Sequence, residues 1–193
     1  MAMLHRYHLS CFLFRATAKQ DARGETGEEE PAGQSSSAWA IAHVATAKRV
    51  QMSWSPFAST TRSIAWAAAL ALPWGGEEKF IHVLVDSPFL TVSMNNSDKV
   101  HSIAAEAEGY IHESYRWMIE VAAEKGPEHD EILVPRAHYE DLFLISIPGS
   151  AIPAALADRL SPLCSRRTAQ AVMSSGLFPQ LEQDVHSWLL SQV

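Results

Sequence analysis

The run "KFIHVLVD", residues 79–86, constrains this chain more than any other stretch. It is nearly all apolar, the pattern of a strand buried on both faces rather than one with alternating exposure. Such a strand needs cover on both faces, and the order of elements along the chain, three strands and then strands alternating with helices, belongs to an α/β mixed sheet with helices on its faces. The run ends on Asp86, and Ser87-Pro88 stops it. A buried strand that delivers a carboxylate at its C-terminal end has two readings. Asp86 is a turn-forming residue ahead of a proline, or it is a ligand at the edge of a sheet.

The rest of the chain supplies enough material for a core. Of 193 residues, 47% are hydrophobic and 19% charged, with six Trp and seven Phe, which argues against global disorder. The length favours one domain with extra elements. A net charge of −7 leaves no basic footprint for nonspecific nucleic-acid binding at whole-chain level. Cys11 and Cys164 are the only cysteines, too few for a disulfide framework or a zinc cluster. The expected setting is therefore reducing and intracellular, cytoplasmic or nuclear. The longest apolar stretch, "IAWAAALALPW" (64–74), is interrupted by Pro73 and is far short of the roughly 20 residues that span a bilayer. No membrane partner is expected. The opening "MAMLHRYHLSCFLFRATA" has Arg and no acid before Asp21, a composition shared with mitochondrial leaders, but it reads better as a strand.

Along the chain, "YHLSCFLF" (7–14) reads as a first strand, and the acidic, Gly/Pro/Ser-containing segment 19–37 as a flexible loop. "AWAIAHVAT" (38–46) and "KRVQMSWS" (48–55) then read as two strands joined by a tight turn, with Val50, Met52 and Trp54 alternating. A helix is expected over 59–72, with Ser59, Thr60 or Thr61 as capping candidates. The strand 79–86 follows. Next comes a long helical region, 99–126, weakened at Gly109 and stopped by Gly126-Pro127. "EILV" and "DLFLISI" within 131–150 read as strands, 152–161 as a helix opened by Pro153, and the tail from 162 as one or two amphipathic helices.

Three segments together resemble the ribonuclease H family, in its retroelement-type versions. One is "TTRSIAWAAALALPWGGEEKFIHVLVDSPFL", where Val85-Asp86-Ser87 fills the family's strand-end Thr-Asp-Ser position and Arg62-Ser63-Ile64 its helix start. Another is "ISIPGSAIPAALADRL" (145–160), which looks like the last strand, a loop and a helix carrying Ala-Asp-Arg-Leu at 157–160. The last is the three-strand front. The resemblance covers about residues 5–162. It implies a mixed five-stranded sheet, a three-strand antiparallel meander plus strand–helix units, flanked by helices. Residues 1–162 would form that domain, and 163–193 a C-terminal helical extension. The implied activity is hydrolysis of RNA in RNA–DNA hybrids by two Mg2+ or Mn2+ ions, which clamp the attacking water and the leaving oxygen.

Such ions need several converging carboxylates. Asp86 matches the fourth-strand ligand and Asp158 the last-helix ligand. The helix Glu is replaced by Ile64, which suits core packing and cannot ligate a metal. The first strand has Ser10 or Cys11 where an acid belongs, and the loop His is absent, with Ser150 nearby. Replacement acids would have to come from elsewhere, such as Asp21 or Glu28–Glu30. The expectation is a divergent copy in which cleavage is weak or lost, or a non-catalytic module that binds nucleic acid or protein. Net acidity favours a protein partner. Read without the resemblance, Asp86 is a turn residue and Asp158 an exposed helix residue beside Arg159.

Other groupings are weaker. Glu108 and His112 stand i, i+4 with Glu113 adjacent, a metal pair if helical and otherwise a solvated face. His129-Asp130 and His138, Glu140 and Asp141 read as solvated loops. Lys48, Arg49, Arg62, Arg166 and Arg167 would line a phosphate groove if brought together. Trp39, Trp54, Trp66 and Trp74 read as core. "PGSAIP" lacks the pattern of a nucleophile elbow, and "WGGEE" lacks the Lys-Ser/Thr of a phosphate loop.

Overall fold

The structure is a computed structural model that describes residues 11–24, 35–46, 55–73 and 76–192, the side chains of Arg166 and Arg167 excepted. Residues 7–10, Glu28–Glu30, Trp74 and all but Ser55 of the expected strand 48–55, with Lys48, Arg49, Val50, Met52 and Trp54, lie outside the described residues. The chain is α/β. Its described residues hold six strands: β1 (Phe12–Thr17), β2 (Phe57–Thr61), β3 (Phe80–Val85), β4 (Val92–Ser93), β5 (Glu131–Pro135) and β6 (Phe143–Pro148). They also hold eight α-helices: α1 (Ser36–Thr46), α2 (Ile64–Ala71), α3 (Ser97–Glu106), α4 (Trp117–Glu128), α5 (Tyr139–Leu142), α6 (Ala154–Leu160), α7 (Arg166–Met173) and α8 (Phe178–Ser191).

The chain forms two compact units, each assembled from separate segments: 1–24, 61–86 and 143–193 in the first, 25–60 and 87–142 in the second. In the first unit β3 is the central strand. It pairs antiparallel with β1 from Phe12↔Val85 to Thr17↔Phe80. On its other side it pairs antiparallel with β6 from Phe80↔Pro148, with an irregularity between Val83 and Leu84. Ile81, Val83 and Leu84 are buried, as the apolar run requires. On one face lies α2, in which Ile64, Ala65, Ala67, Ala68, Ala69 and Ala71 are all buried. A helix apolar all round is an interior helix, and its small side chains let neighbours approach closely. Ile81 and Val83 share a core with α2, with Leu156 and Leu160 of α6, and with Leu181, Val185 and Leu189 of α8. Gly149, at the exit of β6, is enforced by this closeness. A Cβ there would collide with the Ala71 carbonyl of α2.

In the second unit the strand order is β4-β5-β2, with β4 and β5 antiparallel through Val92↔Leu133. Ala40, Ile41 and Val44 of α1, Val100 of α3 and Ala122 of α4 make a core with Phe57 and Leu133. Gly126 and Pro127 lie inside the last turn of α4 rather than beyond it. Each has a local reason. Gly126 admits the Met94 backbone, which a Cβ would strike. Pro127 has no N–H for the carbonyl of Ala123 four residues back, and Ser97 Oγ donates to that carbonyl instead, at 2.9 Å.

Several expectations are corrected. Residues 38–46 are helix, not strand, because alanine-rich sequence favours the helix and is depleted in strands. The start of the expected helix 59–72 is strand β2, and the helix begins only after Ser63, whose Oγ accepts the Trp66 N–H at 3.0 Å. The long helix 99–126 is two helices parted around Gly109, which adopts φ +92°. The front meander is therefore absent from the described residues, which hold six strands where the resemblance implied five. The β1–β3 and β3–β6 pairings are antiparallel, where the resemblance implied a mixed sheet.

Candidate functional site

Asp86 stands one residue past β3. Its N–H donates to the Cys11 carbonyl at 2.8 Å, so the strand end lies beside the first-strand position where an acid was sought. Its side chain is 8% exposed. Oδ2 receives two donors from Arg62, Nε at 2.9 Å and Nη2 at 2.6 Å. Oδ1 is buried and accepts no hydrogen bond. Arg62, one of the basic residues considered for a phosphate groove, is thus committed to a carboxylate.

The start of α2 is closed in a similar way. Ile64 is fully buried in the core, as its apolar side chain demands. The carboxylate missing from that position arrives from α8 instead. Glu182 accepts the backbone N–H of Ile64 at 3.1 Å and of Ala65 at 3.3 Å, and Ser63 Oγ donates to its other oxygen. A carboxylate on the first N–H groups of a helix satisfies orphan donors and meets the positive end of the dipole. Chain reading missed Glu182 because nothing local marks a residue 118 positions away as a cap.

Asp158 is exposed on α6, and its carbonyl accepts Ser161 Oγ at 2.9 Å. No hydrogen bond or ion pair joins it to Asp86. The neighbouring Arg159 pairs with Asp184 of α8 at 2.7 Å. The Gln180 amide and this guanidinium, in that order, hold the Asp184 carboxyl below the usual carboxylate range. Asp21 is exposed. Ser150 donates its N–H to Glu78 at 3.2 Å. Among the described residues no group of three or more His, Cys, Asp or Glu side chains is placed to hold a metal ion, and no helix is long and apolar enough to cross a membrane.

In the second unit, Glu108 and His112 fall in the connection between α3 and α4, so the helical spacing that would pair them does not exist. His112 Nδ1 contacts Ser114 Oγ at 2.7 Å. Asp130, at φ 47°, accepts Asn95 Nδ2 at 2.6 Å. His138 lies 3.4 Å from Asp141. Lys125 is raised above the usual lysine value by hydrogen bonds to Glu124 and Glu128. Two features were not anticipated. One is a buried polar chain in which His43 contacts Ser55 Oγ through Nδ1 at 2.6 Å and Ser59 Oγ through Nε2 at 2.8 Å, while Ser59 donates to Glu131 at 2.6 Å. Ser55, His43 and Glu131 are buried and Ser59 is half-buried, so the contacts lie largely within the core. The chain satisfies polar groups inside the core. The other feature is an open cleft of about 380 Å3 whose walls include Trp39 and Ile41 of α1, Tyr110, His112 and Tyr115 of the α3–α4 connection, and Met118 of α4.

No protein-family model, no curated protein and no solved structure matches the chain.

Proposed function

We propose that this chain acts by binding a partner protein and does not cleave RNA–DNA hybrids. The observation that carries this reading is the commitment of Asp86 to Arg62. A guanidinium on a carboxylate satisfies its charge and repels a divalent cation at the same place. Two carboxylates, Asp86 and Asp158, one of them already neutralised, fall short of what a pair of magnesium ions needs. The donor set does not fit that centre. The net charge of −7 also opposes a phosphate backbone.

One observation favours the other reading, a ribonuclease H-like enzyme with Asp86 and Asp158 as Mg2+ or Mn2+ ligands. The buried Oδ1 of Asp86 retains an unused lone pair. Incubation of a labelled RNA–DNA hybrid with the chain in Mg2+ or Mn2+ separates the two. The expected outcome is no cleavage by folded wild type. Cleavage abolished by both Asp86→Asn and Asp158→Asn would overturn the binding reading.

A further inference from the structure

We draw no further inference here: the strongest candidate, the open apolar cleft of the second unit between α1 and the α3–α4 connection, carries nothing because nothing in the structure shows what covers it.

Discussion

Asp86 is held by two hydrogen bonds from the Arg62 guanidinium, at 2.9 and 2.6 Å. Its place at the end of a buried strand follows from the apolar run before it. Its partner, Arg62, lies 24 positions earlier and belongs to the start of another element. No periodicity connects the two. The pair is a charge-assisted hydrogen-bonded contact with the carboxylate nearly buried and the guanidinium 36% exposed. Asp86→Ala is therefore expected to lower stability by about 2 kcal/mol, read as a lower urea midpoint with an unchanged slope. Asp184 is a milder case at the surface. Its carboxyl is held below its ordinary value in the folded chain, so the contribution is present above the ordinary Asp value of about 3.9 and is lost as the pH falls through the lowered folded value. Asp184→Asn should melt slightly below wild type near neutral pH, and the two melting curves should converge in acid. A gap that persists below about pH 2 would assign the effect to lost packing instead.

At the scale of elements, the apolar runs 79–86, "EILV" (131–134) and "DLFLISI" (141–147) point to the strands Phe80–Val85, Glu131–Pro135 and Phe143–Pro148, although Asp141 and Leu142 belong to helix α5 instead. Residues 38–46 carry two competing signals. Trp39, Ile41 and His43 alternate as a strand's residues would, yet Ala40, Ile41, His43 and Val44 are the buried set, which is helical spacing. Four alanines in nine residues carried the better signal. The helix start at Ser63 was hidden by three earlier hydroxyl residues able to cap. Sequence also gives no warning that Gly149 is fixed by contact rather than by backbone angle. Gly149→Ala drives a methyl into the Ala71 carbonyl, and a loss of about 3 kcal/mol is expected, at the upper end of overpacking effects. Gly76→Ala is the control. Gly76 has φ +83° and open space around its Cβ position, so only backbone strain of about 1 kcal/mol is expected there. Equal midpoint shifts for the two variants in denaturant would show that β6 and α2 can move apart.

For the whole molecule, composition is enough to give a real core, and the apolar run 79–86 with the elements around it gives the α/β class. The sense of the strand pairings was not readable. β1 meets β3 across more than sixty residues of intervening chain, and a run of apolar residues records that a strand is buried, not which neighbour buries it. The same distance hid the candidate site. Motif resemblance pairs Asp86 with Asp158, while the carboxylate that closes the start of α2 comes from α8. The cleft was hidden for a related reason, since its walls come from residues near 40 and near 115, and each half alone reads as ordinary core.

The Glu182 cap also sets a timetable for synthesis. The N–H groups of Ile64 and Ala65 leave the ribosome 118 and 117 residues before the carboxylate that satisfies them. At about 5–20 residues per second that interval is roughly 6–24 s. Through all of it the nascent helix has only the Ser63 hydroxyl at its head, and the alanine-rich surface destined for β3 and α8 lacks at least one of its covers. A chain stalled or cleaved before residue 182 would present that apolar helix to chaperones and proteases.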